Sequence, residues 1–260
     1  MRTYKLTIAY DGTNYQGWQR QSDTDRTIQG ILEETLENCT GYQVQIDGSG
    51  RTDAGVHASG QTASVVLPGK VDTALFTEKM NGCLPPDIRI LDVELVKNGF
   101  HARKSAVGKV YEYRIDTGIK HDVFTRKYSG HFPGEPDLAR MREAAGYLTG
   151  THFFAGYTDK KDNRSVRRTI YSIMIRDERK DFLPCGKSDQ IGNGNCIVIR
   201  YDGTGFLYHM VRILTGTLLE VGMRERTAES VKEALLTGDR SKAGFLAPAG
   251  GLFLREVRYE

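Results

Sequence analysis

No stretch of this 260-residue chain approaches the roughly eighteen consecutive apolar residues that a membrane-spanning helix requires. The first residues, MRTYKLTIAYDG, have neither an apolar segment nor a small-residue cleavage site, so a secretory signal is not expected. Cysteine is scarce. Cys39, Cys83, Cys185 and Cys196 are scattered and form no CxxC pair, which argues against disulfides and zinc and points to reduced thiols in a cytoplasm. The six histidines include no HExxH, and no bound metal is expected. Strong charge of either sign is also missing. The net charge of +3 is far weaker than that of a histone-like binder.

What is present suits a folded chain. Apolar residues make up 39% and charged residues 27%, and the length suits one large domain or two ordinary ones. The positive charge is clustered. Lys160, Lys161, Arg164, Arg167 and Arg168 form one group, Arg103, Lys104 and Lys109 another, and Arg20 and Arg26 flank a polar loop. Such groups neutralise phosphates or simply sit solvated, and composition leaves both readings open.

Alternation in TYKLTIAY (3–10) predicts a strand with one buried face. Thr27 reads as a helix cap before Ile28, Ile31, Leu32 and Leu36, with Gly41 as the stop. Strands are expected over 42–47, 61–67 and 88–96, and a helix capped by Asp72 ends near Gly82. In the second half, KVYEYRI (109–115) reads as a strand, and Pro136 as the first-turn proline of a helix reaching Gly150. Strands follow at 165–176 and 196–201. LYHMVRILTGTLLEVG reads as a helix, Thr227 as the cap of another ending by Gly238, and 251–259 as a closing strand. The alternation belongs to half-exposed antiparallel sheets. The expected class is α/β (α+β), with two domains, 1–105 and 106–260, each a mainly antiparallel sheet with helices on one face.

The stretch GSGRTDAGVH (48–57) places Asp53 on a turn of small residues, two positions after Arg51. No GxxxxGKS or GxxxxGKT pattern is present, so a P-loop fails, and the turn has no GxGxxG leading from strand to helix, so a dinucleotide fold is not expected. An aspartyl-phosphate enzyme is not supported either, since no acidic metal-binding partners lie nearby. Glycines let a backbone or a ligand approach closely, so such a turn can present a carboxylate into a cleft, with Arg51 keeping it ionised or gripping a phosphate. An ordinary hairpin in which Asp53 caps its own backbone is the other reading.

Further stretches carry a resemblance. YDGTNYQGWQ (10–19), TIQGILEETL (27–36), GRTDAGVHASGQ (50–61), LPPDIRI (84–90), FHARKSAVGKVYEYRI (100–115), GFLYHMVRILTGTLLEVG (205–222) and AGFLAPAGGLFLREVRY (243–259) run nearly end to end. In these motifs the chain resembles the tRNA pseudouridine synthase A family. The resemblance implies the pseudouridine synthase fold and an isomerase that detaches uracil from ribose, turns it and rejoins it through carbon. No cofactor is implied, because nothing is oxidised or reduced. The implied substrate is uridine at positions 38, 39 and 40 of the tRNA anticodon stem-loop. The implied assembly is a homodimer.

Site residues carry over by position. Asp53 corresponds to the essential aspartate, acting as a nucleophile or as a base. Tyr111 corresponds to the active-site tyrosine that stacks on the flipped uracil and takes part in proton transfer. Arg212 corresponds to the basic residue that pairs with the aspartate. Arg51 is implied as a contact to phosphate or to the aspartate turn, and Leu252 as an apolar wall. Ser49 stands where alanine is common in the family, Lys104 replaces a common aromatic, and 181–194 is longer than usual.

Overall fold

The computed structural model describes residues 1–160, 165–180 and 196–260. Within it the chain forms two compact units, Met1–Val107 with Phe253–Glu260, and Gly108–Leu252. Both mix strands and helices, and the strand pairs are mostly antiparallel. The chain therefore has the α/β class that its alternation predicts.

In the first unit, β1 (Arg2–Tyr10) pairs antiparallel with β3 (His57–Leu67) and with β4 (Ile88–Val96). Tyr4, Leu6, Ile8 and Tyr10 on one face of β1 are all buried. Helix α1 (Ile28–Thr40) begins where the Thr27 hydroxyl accepts the Gly30 N–H at 3.3 Å, and ends at Gly41, whose φ of 74° is left-handed. Its buried stripe is Ile28, Leu32, Leu36 and Cys39, and it packs on α2 (Thr73–Cys83), capped by Asp72. The strand expected over 42–47 shrinks to β2 (Ile46–Gly48). Side chains of α1 explain this: Glu33 Oε1 accepts the Ile46 N–H at 2.9 Å and Gln29 Nε2 donates to the Ile46 carbonyl at 3.1 Å. Conversely, β3 starts earlier than the expected residue 61, so His57 already lies in the strand. The last strand, β10 (Leu252–Tyr259), returns to this unit and pairs with β3 in parallel at Phe253 and Leu254.

In the second unit, β5 (Ala106–Asp116) pairs antiparallel with β9 (Cys196–Gly203), β9 with β8 (Arg167–Asp177), and β8 with the short β7 (Gly150–Phe153). A two-residue β6 (Gly130–His131) adds to β5 in parallel. Helix α3 (Leu138–Leu148) is capped by Asp137, so Pro136 lies outside the first turn instead of inside it. Asp137 wins because its carboxylate reaches the N–H groups of Ala139 and Arg140, each at 3.2 Å.

Helix α4 (Met210–Gly222) is buried on nearly every side. Tyr201 of β9 bonds Thr215 at 2.8 Å, and the Gly244 N–H donates to Thr217 Oγ1 at 2.8 Å, so a sheet strand and a loop both cover it. Burial of each large apolar side chain there contributes about 1.5–3 kcal/mol. The last helix, α5 (Val231–Thr237), starts after Ser230 and not at Thr227. The Thr227 carbonyl closes a turn by accepting from Ser230 N (3.3 Å) and Ser230 Oγ (2.7 Å), which delays the helix.

Candidate active site

Asp53 sits, half-buried, on the turn that leads into β3. The turn is held mainly by the loop that follows β1. Trp18 N donates to the Thr52 carbonyl at 3.0 Å, and Gly55 N to the Tyr15 carbonyl at 3.3 Å. Val56 N closes the turn on the Asp53 carbonyl at 3.1 Å, with Gly55 at φ 77°. That conformation costs glycine little and a residue with a Cβ more. Gly12 donates from its N–H to His57 Nδ1 at 3.1 Å. A Cβ at Gly12 would stand 2.0 Å from the Val56 carbonyl oxygen, so the two loops fit only because this side chain is absent. YDGTNYQGWQ and GRTDAGVHASGQ are thus two halves of one structure.

Buried side chains support the turn from beneath. Tyr10 and Thr52 share a hydrogen bond of 2.8 Å, and Ser49 Oγ donates to Gln61 Oε1 at 2.7 Å. Gln61 Nε2 donates to the Gly50 carbonyl at 3.0 Å. Burial pushes the Tyr10 phenol well above its ordinary range, against the smaller opposite effects of Thr52 and Gln61, so it serves as a neutral strut. Arg51 is exposed, and its Nε donates to Gln19 Oε1 of the first loop at 2.8 Å. An exposed guanidinium is open to a carboxylate or phosphate from solvent.

Tyr111, Arg212 and Leu252 belong to the second unit. Tyr111 lies on β5 opposite Tyr201 of β9 and is 8% exposed. The Phe206 ring meets it edge-on, with centroids 5.3 Å apart and planes at 85°. Such a contact adds about 0.5–1.5 kcal/mol beyond burial and fixes the ring plane. Tyr113, two residues on, is a core residue. Its hydroxyl donates to the Pro248 carbonyl at 2.8 Å, and burial pushes the phenol pKa above the ordinary range, with the charge of Arg212 acting in opposition. Arg212 lies in the first turn of α4, where its Nε donates to the Ala247 carbonyl at 2.7 Å. Tyr113 and Arg212 therefore grip adjacent carbonyls of the loop before β10. Leu252 ends that loop and is 5% exposed.

The family-model match covers residues 6–103 and 144–260, and its description is tRNA pseudouridine synthase. The chain belongs to the tRNA pseudouridine synthase family. It is accordingly an isomerase acting on tRNA, converting uridine to pseudouridine. Arg51, Asp53, Arg212 and Leu252 fall inside the matched segments, and Tyr111 falls between them. Named relatives align along the whole chain. The tRNA pseudouridine synthase A of Lacticaseibacillus casei is 41% identical over 261 residues, 100% of each chain. That of Clostridium kluyveri is 41% identical over 260 residues, again 100% of each. The Thermotoga neapolitana protein of the same name is 39% identical over 260 residues, with 100% of each chain covered.

Several residues of this pseudouridine synthase matter to the site without standing out in the sequence. Trp18, Thr52, Gln61 and His57 shape the aspartate turn, and Phe206 orients Tyr111. The spacing of glycines around Gly12 and Gly55 was the available signal for the first group. For Phe206 there was none, because an edge-on ring contact has no sequence pattern. The basic cluster is partly described. Arg167 and Arg168 line a polar hollow with Thr151, Ser165, Thr169 and Thr204, while Lys161 and Arg164 lie outside the described residues. The stretch 181–194, expected from the sequence as a longer loop, and Cys185 lie outside them too. Cys39, Cys83 and Cys196 are free thiols, and burial pushes the Cys196 thiol up to about 11. Among the described residues no helix is long and apolar enough to cross a membrane, and no group of three or more His, Cys, Asp or Glu is gathered to hold a metal ion.

Proposed function

We propose that the enzyme isomerises uridines 38, 39 and 40 of the tRNA anticodon stem-loop, with Asp53, Tyr111 and Arg212 acting on the everted base. The N1–C1′ bond breaks and a C5–C1′ bond forms. The proton on C5 leaves and N1 gains one, so atoms and electrons balance without a cofactor. Asp53 opens the reaction as a nucleophile or as a base that removes a ribose proton, and both routes use the ionised carboxylate. Arg212 supplies the basic group of the reaction. Tyr111 stacks on the uracil, and its hydroxyl serves the proton transfer at the base. Leu252 supplies apolar wall. Arg51 and the Arg167–Arg168 hollow contact phosphates, which offset the few kcal/mol, roughly, of unstacking the target.

One observation carries this reading: the GRTDAG turn is clamped by a second loop through backbone bonds and a glycine contact too close for any side chain. A hairpin that merely capped itself would not need that partner. The proposed setting is a homodimer in the cytoplasm, a compartment in keeping with the three free thiols. Incubating unmodified tRNA with the purified protein and mapping new pseudouridines tests the positions. Product at 38, 39 and 40 supports the reading, and product confined to another arm of the tRNA overturns it. Sedimentation of the same sample tests the dimer.

A further inference from the structure

His209 has φ 61° and ψ −3°, the left-handed region, immediately before α4. Among the described residues only His209 and Arg224 adopt positive φ without being glycine. A side chain held in that region persists where its surroundings over-determine it, and such places cluster at working sites. The surroundings of His209 do so. Its Nδ1 stands 2.6 Å from Asp159 Oδ2, and its ring stacks on Tyr208 with centroids 3.7 Å apart. Thr158 Oγ1 donates to the Tyr208 carbonyl at 2.9 Å, so two consecutive residues, Thr158 and Asp159, grip both sides of the strained bend.

Asp159 reaches further. Its other oxygen accepts Arg240 Nε at 2.7 Å, and Arg240 NH1 donates to the Gly244 carbonyl at 2.8 Å. Gly244 begins the stretch whose Ala247 carbonyl receives Arg212 Nε. The path His209–Asp159–Arg240–Gly244 therefore ties the start of α4 to the loop that Arg212 grips. Partial burial works against the Asp159 charge, yet the bonds from His209 and Arg240 hold its carboxyl below the ordinary range, so Asp159 meets both donors as an anion. Helix α4 has no side-chain cap of its own, since His209 makes no capping bond. Asp159 and Thr158 instead hold the two residues that precede its first turn.

We propose that His209 and Asp159 are a positioning pair for Arg212, fixing the entry of α4 so that the guanidinium keeps one orientation. The proposal rests on the reading of Arg212 as part of the reaction. His209→Ala removes the link and retains the strained backbone. Turnover at saturating tRNA is expected to fall about ten- to a hundredfold, as misplacement by about an ångström does elsewhere, with KM little changed. His209→Asn restores most of the turnover, because asparagine tolerates the left-handed bend and places an N–H donor where Nδ1 stood. His209→Gly relieves the bend without restoring the link, and turnover stays low although thermal stability recovers. In an Arg212→Lys background that keeps measurable turnover, adding His209→Ala costs under about twofold, because coupled residues are non-additive.

Normal turnover in His209→Ala overturns the proposal. So does rescue by glycine equal to that by asparagine, or an undiminished loss in the Arg212→Lys background. Wild-type turnover in Arg212→Lys and Arg212→Ala is a separate result. It removes the reading of Arg212 itself, and the positioning pair falls with it.

Discussion

The aspartate turn of the first unit and the tyrosine–arginine framework of the second hold their side chains by different means. Asp53 rides on irregular chain, and the neighbouring loop supplies most of what fixes it: the Trp18, Gly55 and Gly12 N–H bonds, and the near-contact of Gly12 with Val56. Tyr111 and Arg212 ride on a strand and a helix, where ladder bonds and apolar burial fix the backbone first. Side-chain contacts from Phe206 and to Ala247 then set the final angle. A turn permits a backbone shape that regular elements forbid, but it tolerates no added volume where two loops meet. Regular elements accept more substitution, since only the last contact is specific.

The largest expected effect separates chemistry from support. Asp53→Asn nearly keeps shape and removes charge, so turnover should fall by about a thousandfold or more while tRNA affinity and melting temperature hold. Tyr111→Phe keeps the ring and should lose less turnover than Asp53→Asn. Pseudouridine formation per tRNA measures both, and near-normal product from Asp53→Asn would end the proposed role of the turn.

A smaller effect sharpens the contrast in support. Gly12→Ala forces a carbon against the Val56 carbonyl and should destabilise the chain by about 1–3 kcal/mol, with turnover falling alongside. Gly146→Ala, inside α3 with open space around it, should stabilise by about 0.4–1 kcal/mol and leave turnover alone. Denaturant titration of the two variants decides it, and equal shifts would erase the difference between loop and framework.

The smallest effect concerns pH. The Arg140 N–H beside Asp137 holds its carboxyl below the ordinary range; some desolvation opposes this, and Arg224 and Ala139 reinforce it. A depressed folded value means stabilisation present above the unfolded value and lost as pH falls through the folded one. Asp137→Asn should therefore lower the melting temperature slightly near neutrality, with the gap closing in acid. A gap that widens in acid would reverse the sign.

Much of this was legible in the residues. Thr27 and Gly41 bound α1 because cap chemistry acts within one turn, and Tyr4, Leu6, Ile8 and Tyr10 alternate because a strand has two faces. Pro136 and Thr227 misled for a related reason: one suits a first turn and the other a cap, yet Asp137 and Ser230 stand closer to the helix and take the cap position. Residues 42–45 have strand character, but Glu33 and Gln29 bind the chain only at Ile46.

The order of residues alone determined the local grammar of this protein: the caps, the alternating strands, the small-residue turn and the motifs that mark its family. Those depend on neighbours a few positions apart. Folding in three dimensions decided what touches the turn and the helix: Gly12 under Val56, Phe206 against Tyr111, Asp159 beside His209, and β10 returning to β3. These pairs are separated by tens to hundreds of residues, and they exist because burial and hydrogen bonding are satisfied across the whole chain, not along it.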